Sequence, residues 1–163
     1  KTVAFLGPKY YGGLQNSLTY KTLTLDFLFQ FVKKKGRNYM ANGALPGTMA
    51  NQPVEVLDRW QNAGDQAALQ RFSAGYDDDA YMAYINYYDS TGSVGDASYV
   101  RLKNIALSYT LPSHRSLGIG CRIYAQAQNL LTFTNYEGPD PETEIYNNLP
   151  PLKMFSTGVE FTF

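Results

Sequence analysis

Charge, sulfur and histidine are all scarce in this chain of 163 residues. The single cysteine, Cys121, excludes an intrachain disulfide framework and any zinc site built on several thiolates. The single histidine, His114, excludes histidine-rich metal clusters and leaves nucleophilic catalysis one base. That base is expected in a short turn beside Arg115, with neither a nucleophile nor an orienting carboxylate suggested near it. A general base needs such partners within hydrogen-bond reach. No catalytic residue, metal or cofactor is therefore expected, and the chain reads as a non-enzyme. Charged residues make up only 17%, against roughly 25% in an ordinary soluble domain. Fourteen basic residues cancel fourteen acidic ones, which leaves no basic footprint for nucleic acid and no acidic tail. No apolar run approaches the roughly 20 residues of a membrane-spanning helix. Residues 1–8 are too short for a signal peptide, and the chain is expected to begin in the middle of a longer one.

Aromatic residues are abundant at 15%, with 14 Tyr and 9 Phe, and so is two-fold alternation. Strands are expected at 11–20, 22–32, 99–111, 119–130 and 155–163. In the second, Leu23, Leu25, Phe27, Phe29 and Phe31 point one way and Thr22, Thr24, Asp26, Leu28 and Gln30 the other. The last repeats it, with Phe155, Thr157, Val159, Phe161 and Phe163 opposite Ser156, Gly158, Glu160 and Thr162. Phasing the other three likewise yields an apolar side without charge, on which only Asn16 and Thr157 are polar. The opposite side carries Asp26, Arg122 and Glu160. In 99–111 the alternation fails above Lys103, where Val100 and Leu102 fall out of phase. Either a bulge intervenes there or that end rises clear of its surroundings and packs on a loop.

The wet face of a soluble sandwich usually carries Lys and Glu, whereas here it is mostly Thr, Ser, Gln and Asn. In a lipid-embedded barrel a Lys or Arg on the outer face costs about 2–4 kcal/mol at the midplane, and an uncharged apolar side is what that penalty leaves. Spans of about 9–11 residues suit tilted transmembrane strands. The connections agree: short at Lys21, long at 33–98, short at 112–118, long at 131–154. That alternation of short periplasmic turns with long extracellular loops is the habit of outer-membrane barrels, and it sets the C-terminus on the periplasmic side. Five strands cannot close a barrel, and open edges are untenable in a bilayer. The fold class expected is thus all-β, with residues 1–163 the C-terminal segment of a larger barrel. The rival reading is a secreted β-sandwich that binds carbohydrate.

The final residues, Ser156 to Phe163, resemble the assembly signal of bacterial outer-membrane proteins: polar Ser156, Gly158, then aromatic Phe161 and Phe163. Residues 96–112, DASYVRLKNIALSYTLP, and residues 128–136, QNLLTFTNY, followed by Gly138-Pro139-Asp140-Pro141-Glu142, resemble two blocks of the SusC/RagA family. Tyr10-Tyr11-Gly12-Gly13-Leu14 and Tyr20-Lys21 resemble that family's preceding hairpin. The family are TonB-dependent transporters of the Bacteroidota outer membrane. The resemblance implies a 22-stranded barrel closed by an N-terminal plug through which TonB acts. It also implies a SusD-like surface lipoprotein that helps capture glycans or oligopeptides. This chain then supplies the last five strands, without the plug.

Among candidate contact residues, Asp26, Arg122 and Glu160 are expected to face the lumen, where contact with a plug is favoured. Trp60, Tyr76, Tyr81, Tyr84 and Tyr88 in the loop 33–98 are candidates for stacking on substrate or partner, weighed against simple packing of the loop. Residues 53–60 suggest a short helix with Pro53 as its first residue. Asp77-Asp78-Asp79, and Glu137, Asp140, Glu142 and Glu144, invite a calcium reading that solvated loops explain better. Lys33-Lys34-Lys35 is expected as a charge run at a strand exit, solvated or meeting lipid phosphates. Cys121 falls on the apolar side as a small hydrophobe.

Overall fold

The computed structural model describes residues 3–75, 78–112, 120–144 and 148–163. Tyr76, Asp77, His114 and Arg115 lie outside the described residues. The strands are β1 (Pro8–Tyr20), β2 (Leu23–Arg37), β3 (Val94–Asp96), β4 (Tyr99–Leu111), β5 (Gly120–Thr134) and β6 (Met154–Thr162). They pair antiparallel in the order β1-β2-β4-β5-β6, with the short β3 added to the far end of β2. Between β2 and β3 lie α1 (Tyr39–Asn42), a 3-10 turn at Val54–Asp58, α2 (Asp78–Tyr88) and a second 3-10 turn at Thr91–Ser93.

The chain divides into two compact units. One is the sheet, Pro8–Lys34, Ser98–Asn135 and Leu149–Phe163. The other gathers the loops, Lys1–Gly7, Lys35–Ala97 and Tyr136–Asn148.

In the sheet, side chains directly opposite on paired strands share a face. The register therefore sorts whole rows across five strands. Asn16, Phe27, Ile105, Ala127 and Phe155 form one apolar row. Leu18, Leu25, Leu107, Ala125 and Thr157 form the next, and Tyr20, Leu23, Tyr109, Ile123 and Val159 the one after. Between them run Ser17–Asp26–Ala106–Gln126–Ser156 and Thr19–Thr24–Ser108–Tyr124–Gly158 on the polar face. The described strands make no second sheet over the apolar rows, as a sandwich would require.

A bulge accounts for the break in alternation at Lys103. There the ladder steps over one residue of β4 and two of β5, Asn129 and Leu130, with Asn129 at φ 52°. Such a bulge shifts the parity of β4. Val100 and Leu102 now stand opposite Phe31 and Phe29, back on the apolar face. Alternation is lost at the bulge, and β5 in fact runs on to Thr134 instead of ending at Leu130.

Three further expectations are corrected. β2 continues through Arg37 instead of ending at Val32, so Lys33, Lys34 and Lys35 are strand residues paired with Tyr10, Pro8 and Asp96. They are not a free charge run at a strand exit. β3 is a sixth strand of three residues, too short to show a period. Pro53 occupies the N-cap position before the 3-10 turn, not its first residue.

The β1–β2 hairpin turns through Lys21 and Thr22, with Tyr20 paired to Leu23 and Lys21 at φ 55°. That left-handed conformation costs most residues roughly 1–2 kcal/mol and costs Asn less. Lys21→Asn is expected to stabilise the hairpin by up to about 1 kcal/mol, read as a higher denaturant midpoint with unchanged slope.

Candidate functional site

The feature with the clearest functional bearing is the apolar face of the sheet. Its rows carry no charge, and large side chains along them lie open: Leu18 is 54% exposed, Val159 55% and Phe161 58%. Phe155 and the terminal Phe163 are exposed as well. Soluble monomers rarely leave a contiguous apolar patch larger than a few hundred Å² uncovered. Cys121 lies on this face between Leu111 and Phe161.

On the opposite face, Arg122 and Glu160 stand directly across from each other, with Nη1 3.5 Å from Oε2. Both are about half exposed, so the pair contributes no more than about 1 kcal/mol in water. Asp26 belongs to another row and another pair of strands, so the sheet does not bring it to them. Hydrogen-bonding side chains surround these charges on the face. Gln126 Nε2 donates to Ser156 Oγ at 3.0 Å, and the hydroxyls of Thr19 and Thr24 are 3.2 Å apart. Near the bulge a recess of about 530 Å³ is lined by Tyr11, Lys103 and the amides of Gln30, Asn104 and Gln128. Arg101, opposite Gln30, is a buried cation that the alternation gave no reason to single out. Its Nε donates to Thr132 Oγ1 at 3.0 Å, and its guanidinium lies 5.2 Å from the Tyr99 ring.

Within the loop unit the organising residue is Arg37, at the end of β2. Its guanidinium lies 3.9 Å over the ring of Tyr88 and donates to the Tyr88 carbonyl and to Ser93 Oγ. Its backbone N–H donates to Glu144 Oε2 at 3.1 Å, and its carbonyl accepts from the Tyr136 hydroxyl at 2.9 Å. One residue thus joins the strand end, the C-terminus of α2 and the segment after β5.

The tyrosines weighed as substrate or partner contacts against packing of the loop divide accordingly. Tyr84 donates its hydroxyl to the Gly43 carbonyl at 2.8 Å, and burial pushes its phenol up. Tyr88 lies under Arg37. Both are engaged inside the unit, which leaves Tyr81 as the exposed member of the helical stripe. Trp60 is half-buried, and its backbone N–H donates to the Leu69 carbonyl at 2.9 Å.

The acidic residues after β5 also serve the loop. Asp140, buried, accepts from the backbone N–H groups of Glu142 at 2.9 Å and Thr143 at 3.3 Å. Among the described residues no group of three or more ligating side chains is placed to hold a metal ion.

Tyr39 borders a recess of about 620 Å³ with Pro53, Val54, Glu55, Glu137 and Pro139. Burial, a hydrogen bond to Glu55 and the charges of Glu55 and Glu137 push its phenol up from 10.0 to about 12. The folded loop therefore binds the phenolic proton more tightly than the unfolded chain. This contribution to stability is complete below pH 10.0 and is lost as pH rises to about 12. Glu55→Gln is expected to lower that titration, measured by tyrosinate absorbance. An unchanged curve would separate the shift from Glu55.

No family model matches the chain. Two receptors of Formosa agariphila do. TonB-dependent receptor P3 is 28% identical over 96% of this chain, and TonB-dependent receptor P26 is 28% identical over 80%. The chain spans only 16% and 13% of those two proteins. The RagAB peptide importer in its closed-closed state superposes with a TM-score of 0.68 at 26% identity, over 94% of this chain and 17% of that one. In the open-open state the values are 0.64 and 25%, over 97% and 17%.

Proposed function

Because the chain belongs to the TonB-dependent receptors of the SusC/RagA type, we propose that it forms part of the wall of an outer-membrane β-barrel that imports a bulky nutrient. The observation that carries this reading is the set of exposed, uncharged apolar rows, unbroken across β1, β2, β4, β5 and β6. In a bilayer such rows face lipid, and their backbone groups are satisfied by the neighbouring strands. Aromatic Phe161 and Phe163 then sit at the membrane boundary, where rings are favoured.

The polar face lines the lumen. There Asp26, Arg122 and Glu160 contact the plug, and the amides near the bulge offer hydrogen bonds to substrate. The loop unit lies on the extracellular side and meets a SusD-like lipoprotein, with Tyr81 its exposed aromatic. TonB acts through the plug, and the chemistry is gated translocation without covalent change. Ser156, Gly158, Phe161 and Phe163 serve barrel assembly. Of the two nutrient classes that the family resemblance implies, the likeness to RagAB, a peptide importer, supports an oligopeptide over a glycan.

The test is uptake of a fluorescent oligopeptide pool by cells carrying the whole receptor. Uptake is expected to fall to background on deletion of the receptor or its lipoprotein partner, and on collapse of the proton-motive force. Undiminished uptake in the receptor deletion would overturn the reading, and uptake of labelled oligoglycans alone would reverse the choice of nutrient.

A further inference from the structure

Gly158 stands directly opposite Tyr124 on the polar face of the β5–β6 pair. A Cβ built on Gly158 would run into the hydroxyl and ring carbons of Tyr124, so the ring lies over the glycine in the space a side chain would fill. The first two strands repeat this on the other face. There Gly12 stands opposite Phe31, and a Cβ on Gly12 would come 2.6 Å from Phe31 Cζ. An interior strand glycine ordinarily weakens its strand through backbone entropy and the lack of a packing side chain. Covering it with a cross-strand ring removes that weakness and makes the glycine a notch.

We infer that Tyr124 seated on Gly158 is a register lock for β6, and that Gly158 serves barrel assembly through Tyr124, not as a signal read on its own. The neighbours of Gly158 on the same face are Ser156 and Glu160, so a slip of two residues puts a side chain where the ring must lie. A slip of one turns Val159 and Phe161 to the polar face. Only one register leaves both the ring and the apolar row in place. Tyr124 is thus a positioning residue, and this inference rests on the barrel reading above.

The experiment uses the whole receptor in outer membranes, with folded barrel scored by its shifted mobility in unheated gels. Gly158→Ala, with Tyr124 intact, is expected to cut the folded fraction at least fivefold. Tyr124→Phe keeps the ring and is expected to match the parent. Tyr124→Ala should lose part of the folded fraction. The double variant Tyr124→Ala/Gly158→Ala should recover well above Gly158→Ala alone, because the obstructing ring is gone. If the double variant is as defective as Gly158→Ala, the glycine acts independently of Tyr124 and the lock is overturned. A parental level of folding in Gly158→Ala overturns it too. If the parent itself shows no heat-dependent mobility shift, the barrel reading fails, and that outcome is distinct from failure of the lock.

Discussion

Leu107→Arg is expected to eliminate most of the folded receptor, whereas Ala106→Arg, one residue before it, leaves it nearly intact. Leu107 lies in the middle of β4, between Leu25 and Ala125 on the apolar face and exposed there. An arginine on a lipid-facing position costs about 2–4 kcal/mol near the midplane, a large part of a barrel's margin. Ala106 is flanked by Asp26 and Gln126 on the polar face, where a guanidinium meets a carboxylate and an amide. The same side chain on adjacent residues thus has opposite outcomes in the folded fraction extracted from membranes. Equal tolerance of both arginines would remove the distinction between the faces.

The second large effect is expected at Arg37. Arg37→Ala removes the guanidinium over Tyr88 and its hydrogen bonds to the Tyr88 carbonyl and Ser93 Oγ. Charge-assisted hydrogen bonds and a half-buried cation–π contact together suggest a loss of about 2 kcal/mol, roughly thirtyfold in local opening. Backbone amide exchange at Asn38 and Ser93, bonded to the carbonyls of Ser93 and Ser90, is expected to accelerate by that factor, with exchange in β4 and β5 unchanged. Arg37→Lys keeps a charge but lacks the planar fork, and is expected to fall between. Unaltered exchange in Arg37→Ala would show that β3 and the Tyr136 contact hold the segment without it.

These expectations show which parts of the fold a linear reading reaches. The apolar side of each strand was legible because strand periodicity is local and charge is absent from that side. The register that aligns these sides into rows comes only from the ladder. The bulge was half legible: loss of phase marks Lys103, but only the ladder reveals that Asn129 and Leu130 answer it on β5. β3 and the extension of β2 to Arg37 were hidden, since three residues containing Gly95 carry no period.

The loop residues were the least legible. The helical spacing of Tyr81, Tyr84 and Tyr88 matches α2, yet it does not say which faces inward. Tyr84 reaches Gly43 and Tyr88 reaches Arg37, contacts spanning dozens of residues that no local pattern encodes. Gly158 was visible as a motif residue, while its partner Tyr124 lies on β5 outside every motif.

The most direct test is cysteine scanning of Ile105 to Leu111 in the whole receptor carrying Cys121→Ser, in intact outer membranes. Each position is labelled in parallel with a lipid-soluble and a water-soluble thiol reagent. The predicted result is strict two-residue alternation, with Ile105, Leu107, Tyr109 and Leu111 taking the lipid-soluble reagent and Ala106, Ser108 and Thr110 refusing it. Protection of the apolar positions from both reagents would mean that protein, not lipid, covers this face, and would contradict the barrel.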